Sequence, residues 1–410
     1  MHAIDTKTRT RGVGTGDRLA RIVVAAGVVL FVGRGIDRVV HPAFWAEDGA
    51  QFFSEQISRG GLDALTIPYA GYLHVIPRLT ALVFSPVPFT LAPLLYAVTA
   101  VVVALGLFSI VLSPRLAWLL PTPRARAVAF TLLCVSPVLS EVYGNIANLI
   151  FVGGVGLFLI AMCDDPTSRG GRAAEVVVVA LLATSGPVVV LLLPVLIYRW
   201  WRVGRSAQSA VVAAVAIAGA VMQTIIYASS SRTTPGGGSV EVAVRAVIER
   251  VAGGWLFGFS SLFHPDGGPL LPTVVATAWI VAAFAVTVVV LRRDAVAPWF
   301  SLLALTGAAS YAYGAIFVSG ALAGQRHLVT PVAIVIVLLV AAASRSGSRA
   351  GRGVAVVCLV LGVLGVVASL YLSAHPDPAD LRGLTNCRET AARLCSTPIA
   401  PSGWGVYLSR

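Results

Sequence analysis

Apolar runs of roughly 18–25 residues recur from about residue 19 to residue 373, separated by short arginine-rich clusters. A helical run of that length covers the ~30 Å hydrocarbon core of a bilayer. In hydrocarbon a segment must satisfy its own backbone polar groups, so these runs are expected to cross as helices. Charged residues are 12% of the chain, against about 25% in a soluble protein. The predicted fold class is all-α, a polytopic transmembrane helical bundle whose first partner is the lipid bilayer. The net charge of +12 does not point to nucleic acid, because the arginines sit mostly at the ends of the apolar runs. Lys7 is the only lysine, a bias expected of a GC-rich bacterial genome and hence of a bacterial cytoplasmic (inner) membrane. No cleavable signal peptide is expected, since Arg34, Asp37 and Arg38 follow the first run and no A-x-A site does.

Basic residues favour the cytoplasmic side of a membrane. Lys7, Arg9, Arg11, Arg18 and Arg21 therefore put the N-terminus inside, and a first span over 19–40 delivers 41–70 to the outside. The segment 71–86 contains His74, Pro77 and Arg78 and stops at Pro86 and Pro88, which predicts a short helix within the outer leaflet or at its surface. A span over 89–113 returns the chain to Arg115, Arg124 and Arg126. Spans over 127–140 and 147–162 then form a hairpin whose outer turn holds Glu141, Tyr143, Asn145 and Asn148. The run 176–198 begins and ends on basic loops and is interrupted by Thr184-Ser185-Gly186-Pro187. That pattern predicts two short helices with a broken tip, tolerated only inside protein or beside a cavity. Further spans are expected over 207–228, 271–291, 297–317, 328–343 and 353–373. The total is about eleven crossings, N-terminus inside and C-terminus outside. Residues 1–373 form the membrane domain, with outer loops 41–88 and 229–270, and 374–410 form a short extracytoplasmic tail.

Cys387 and Cys395 lie in a helix-like stretch of that tail, where an oxidising compartment would join them as a disulfide; two free thiols are the alternative. Cys134, Cys163 and Cys358 lie in apolar runs and are expected to be inert.

The first outer loop reads Trp45-Ala46-Glu47-Asp48-Gly49, two adjacent carboxylates directly after the first span. A carboxylate near the lipid interface gains proton affinity and suits general-base chemistry. The structural alternative is that Asp48 caps a helix starting near Gly49. Phe52, Phe53, Ile57 and Leu62 are expected to lie on the membrane, with Gln51, Glu55 and Arg59 facing water.

This loop, together with Tyr69-Ala70-Gly71-Tyr72-Leu73-His74-Val75-Ile76-Pro77-Arg78-Leu79, resembles the GT-C superfamily of membrane glycosyltransferases. The specific likeness covers roughly residues 41–80. Members carry an acidic motif in the first outer loop, amphipathic interfacial helices after it, and use polyprenyl-phosphate sugars as donors. The resemblance implies an inverting transferase moving a sugar to a cell-envelope glycan, lipid or protein acceptor. It makes Asp48 the first candidate for the base and Glu47 the second. Arg326 and His327, at the outer end of a late span, and His74 and Arg78, one helical turn apart, are candidates for the donor phosphate. Tyr72, Glu141, Tyr143, Asn145, His264 and Asp266 are candidates for acceptor or sugar contacts. His264 and Asp266 alone are too few ligands to support a metal, and no cofactor is expected beyond the lipid-linked donor. The chain departs from the superfamily layout at 71–86, which is too short for a full second span.

A transporter or flippase of a lipid-linked sugar would share the cations without needing the acidic pair, and a non-catalytic scaffold of envelope assembly would need neither. The runs 89–113, 207–226 and 271–291 hold no charge, which favours an interfacial enzyme over a proton-coupled pump.

Overall fold

The computed structural model describes residues 15–232, 236–258, 270–318, 324–390 and 392–409. These are mostly helical. Helix α1 (Thr15–Arg34) breaks at Gly35 before α2 (Ile36–Val40), and the Tyr143 ring occupies the space a side chain at 35 would need. A π-helical turn (Asp48–Phe53) runs into α3 (Ser54–Arg59), and the short α4 (Val75–Phe84) follows. Next come α5 (Ala92–Ser109), α6 (Pro123–Cys134), α7 (Leu149–Met162), α8 (Arg169–Ala183), α9 (Val188–Arg202) and α10 (Ala207–Ser229). Helix α11 (Val240–Arg245) continues through a second π-helical turn (Ala246–Ala252) into α12 (Gly253–Phe257). Helices α13 (Leu270–Leu291), α14 (Arg293–Val318), α15 (Val329–Arg345), α16 (Arg349–Leu361) and α17 (Val363–Ala368) complete the bundle. The tail holds α18 (Leu381–Glu389) and an antiparallel hairpin of β1 (Leu394–Ile399) and β2 (Trp404–Ser409).

Among the described residues, six helical segments are long and apolar enough to cross a membrane: Phe89–Leu112, Ala207–Ser229, Leu270–Leu291, Arg293–Gly314, Gln325–Arg345 and Arg349–Ala368. Helices α6 to α9 have 12 to 15 residues, about 18–22 Å at 1.5 Å per residue, short of the hydrocarbon thickness. The break expected at 184–187 separates α8 from α9 and packs against the start of α4. There Val75 N–H donates to Thr184 O at 3.4 Å and Ile76 N–H to Ser185 Oγ at 2.9 Å.

Two helices form the centre. Every residue of α7 is buried, and so is α15 from Val329 to Ala342. A helix apolar all round belongs in the middle of a bundle rather than on its surface. The Thr330 hydroxyl donates to Phe151 O at 2.9 Å and ties the two together near their N-terminal ends. At the far end of α7, Arg199 is completely buried between Glu175 (2.7 Å) and Asp165 (2.8 Å), and Arg202 pairs with Asp164 at 2.7 Å. Arg115 also meets Glu175 there.

Three expectations need correction. The chain is not all-α, because the tail folds into a two-stranded sheet. Cys387 is on α18 and Cys395 on β1, so their bond joins helix to strand rather than two turns of one helix. Phe52, Phe53 and Ile57 do not lie on a membrane surface: they are buried in the protein core, and Glu55 turns inward to Arg78.

Candidate functional site

The acidic pair sits at the N-terminal end of the central helix α7. Asp48 is only 3% exposed. Its two oxygens accept the N–H groups of Ile146 (3.1 Å) and Ala147 (2.9 Å), two residues before α7 begins. It therefore caps no helix of its own and instead anchors the loop 41–48 to the turn ahead of α7. Burial drives the Asp48 pKa up to about 8; the two amides pull it down and the charge of Glu47 pushes it further up. Glu47 is half-buried and, among the described residues, makes no hydrogen bond or ion pair. It lies close enough to Tyr69 to raise the pKa of that phenol, after burial the largest cause.

Tyr69 is the point on which the site converges. Glu47, Tyr72, Arg232 and Arg326 all bear on it electrostatically. Its ring lies 5.7 Å from His74 and 6.2 Å from Phe52, and Tyr72 lies 4.7 Å from His74. His74 is 3% exposed, and burial followed by the charge of Arg78 lowers its pKa to about 3, so it is a neutral imidazole. Arg78, 1% exposed, lies 2.9 Å from Glu55 and 5.4 Å above the Phe52 ring. Its charge is compensated.

Arg326 is compensated as well. Its guanidinium meets Glu141 Oε1 at 2.6 Å, while Glu141 Oε2 accepts the N–H groups of Gly324 (3.2 Å) and Arg326 (3.0 Å). Glu141 thus holds the start of α15 to the turn before α7, and Ser140 bonds Gln325 alongside it. His327 lies between Phe151 (4.8 Å) and Tyr313 (4.7 Å).

The remaining cation is Arg232, which the sequence reading does not single out. It follows α10 and packs against Gly71, at φ 86°, where a Cβ would lie 3.0 Å from Ser230 Oγ and 3.3 Å from Arg232 Cδ. Arg232 donates to Ala70 O and lies 5.4 Å from the Tyr72 ring and 5.5 Å from the Tyr313 ring. No carboxylate pairs with it among the described residues. A guanidinium on aromatic faces, with no counter-charge, is suited to an incoming anion.

Not all expected residues belong to this cluster. Tyr143 is buried, and its hydroxyl donates to Val32 O at 3.2 Å, a packing role against α1. Asn145 is buried, and its Oδ1 accepts Asn148 N–H at 2.9 Å beneath the Asp48 contact. His264 and Asp266 lie outside the described residues. Cys387 and Cys395 are bonded to one another. The described residues contain no group of three or more His, Cys, Asp or Glu placed to hold a metal.

A groove of about 350 Å³ runs between α4, α5 and α8, walled by Ile76, Leu79, Val83, Val103, Leu107 and Leu181. Its lining is almost wholly apolar and includes Ile76 on the first turn of α4.

No protein-family model, curated protein or solved structure matches this chain.

Proposed function

We propose that this chain is an integral membrane glycosyltransferase that moves a sugar from a polyprenyl-phosphate donor to a cell-envelope acceptor. The observation that carries this reading is the placing about Tyr69 of a carboxylate, Glu47, and a cation, Arg232, neither of which has an ion-pair partner among the described residues. An apolar groove whose walls include Ile76 and Leu79 of α4 is suited to a hydrocarbon chain. Together these match a donor with an apolar tail, a phosphate and a sugar.

In this reading the acceptor hydroxyl attacks the anomeric carbon and Glu47 takes its proton. The bond from that carbon to the phosphate oxygen breaks with its electron pair on the phosphate, which Arg232 stabilises. A single displacement inverts the anomeric centre. The superfamily resemblance favours Asp48 as the base. Both Asp48 oxygens, however, are committed to backbone amides, and near pH 7 a carboxyl with a pKa of about 8 is mostly protonated. We therefore assign Glu47 as the base and Asp48 as the positioning residue. His74 and the Tyr69 and Tyr72 rings would line the sugar.

The site end is assigned to the non-cytoplasmic face of a bacterial inner membrane. The end with Arg115, Arg199, Arg202 and Arg345 follows the positive-inside rule, and the Cys387–Cys395 bond belongs in an oxidising compartment. A carrier of lipid-linked sugars would use the same cation and groove but has no need of a base. Reconstituted protein given a polyprenyl-phosphate sugar and an envelope-glycan acceptor tests the proposal: transfer that depends on Glu47 supports it, and binding or translocation unaffected by Glu47→Gln favours the carrier.

A further inference from the structure

The acidic loop is held by contacts from outside as well as by its own Asp48 N–H to Trp45 O bond at 3.1 Å. Ala46, between Trp45 and Glu47, has φ 45°. A residue with a Cβ adopts that left-handed conformation at a cost, and it persists only where the surroundings enforce it. Here the enforcing contact comes from the far end of the sequence. Ala46 N–H donates to Ala400 O at 2.7 Å, and Trp45 pairs with Ala400 as a short parallel bridge.

The same hairpin grips the helix that follows the acidic pair. Tyr407 N–H donates to Ser54 Oγ at 3.2 Å and Ser409 N–H to Ser58 Oγ at 3.1 Å, while Arg388 on α18 donates to Ile57 O at 3.2 Å. Ser54 Oγ in turn donates to Gly49 O at 2.8 Å, directly after Asp48. On the approach to the hairpin, His375 stacks on Trp45 with ring centres 3.9 Å apart. The tail itself is closed twice, by Asp380 N–H donating to Thr397 Oγ1 at 2.8 Å and by the Cys387–Cys395 bond between α18 and β1.

We propose that the disulfide-closed tail is a clasp that sets the geometry of the Glu47–Asp48 loop, so that the catalytic competence of the loop depends on the Cys387–Cys395 bond. Ala400, Ser54 and Arg388 act as positioning residues that do not touch substrate. Opening the clasp takes a dithiol, which supplies two electrons and two protons to give two cysteine thiols and is itself oxidised to a disulfide. The activity arm of this proposal rests on the transferase reading; the structural arm does not.

The test is peptide-resolved hydrogen exchange on the full chain in lipid nanodiscs, oxidised, treated with dithiothreitol, and as the Cys387→Ser/Cys395→Ser variant. Exchange over 44–58 is expected to rise about tenfold or more on reduction and in the variant, with 149–162 unchanged. Ser54→Ala and Arg388→Ala, which leave the disulfide intact, should raise exchange over 44–58 as well. In the transfer assay the reduced protein should lose kcat about tenfold while the donor KM holds, since Arg232 is not gripped by the clasp. Faster exchange confined to 381–409, with 44–58 unaltered, would overturn the proposal. So would faster exchange across 149–162, which would make the tail a general support of the bundle. Absence of transfer by the oxidised protein, with the 44–58 response intact, would instead sink the transferase reading and leave the clasp standing.

Discussion

Glu141 meets Arg326 at 2.6 Å and takes the Arg326 backbone N–H on its other oxygen at 3.0 Å. One carboxylate thus neutralises the arginine whose sequence position made it the first candidate for a donor phosphate, and fixes it as a strut between α15 and the turn before α7. Arg232, by contrast, has no paired carboxylate among the described residues.

Arg232→Gln should therefore weaken donor use more than Arg326→Lys does. Losing a charge-assisted hydrogen bond of about 1.5–3 kcal/mol corresponds to a factor of roughly 10–100 in donor affinity. Titrating a short-chain polyprenyl phosphate onto both variants checks this. A larger loss in Arg326→Lys would return the phosphate to the Glu141 pair.

Glu141→Gln should act on stability before chemistry. It leaves Arg326, 30% exposed at its side chain, without its counter-charge, at a cost of about 1–2 kcal/mol for a partly buried pair. Thermal unfolding should show a lower midpoint, part of which Arg326→Gln in the same chain restores. Additive losses in the double variant would mean that the two groups do not interact.

Asp48 gives a pH signature. Its folded pKa of about 8 is above the unfolded value of about 3.9, so the folded state holds a proton that the unfolded state releases. That stabilisation is fully present below about pH 4 and is lost as pH rises through 8. The unfolding midpoint of the natural chain, measured against Asp48→Asn from pH 5 to 9, should fall relative to the variant as the carboxyl ionises. A constant difference would show that the two amide bonds, rather than burial, govern this group.

Much of this was legible in the sequence. Apolar run length marked the long helices, and Thr184-Ser185-Gly186-Pro187 marked the break between α8 and α9, because both signals are local. The helices α6 to α9, at 12 to 15 residues, are shorter than the apolar runs suggest, and after α6 the apolar residues Val135, Val138 and Leu139 continue into a buried turn. Phe52 and Phe53 looked interfacial because their pattern is amphipathic, yet a sequence does not say whether an apolar face meets lipid or protein. The partners of the site residues were not legible at all. Asp48 with Ile146, Glu141 with Arg326, Gly71 with Arg232 and Ala46 with Ala400 are contacts across roughly 100 to 350 positions, set by tertiary packing rather than by any motif.

The far end of α7 offers a control for effects on the site. Arg199 is fully buried between Asp165 and Glu175, and removing one partner of such a pair costs about 3–5 kcal/mol. Glu175→Gln should lower yield and unfolding midpoint while the correctly folded fraction binds polyprenyl phosphate normally. A selective loss of binding in that fraction would tie the two ends together.

The central claim rests on Glu47 as the proton acceptor. The measurement is the transfer rate of Glu47→Gln from a polyprenyl-phosphate sugar in reconstituted membranes, beside Asp48→Asn and the natural chain. General-base removal predicts a loss of about 10²–10⁴ in kcat for Glu47→Gln with unchanged unfolding midpoint and donor affinity. Asp48→Asn keeps an acceptor oxygen for the loop and should lose less. Full activity in Glu47→Gln would contradict the account, whatever the outcome at Asp48.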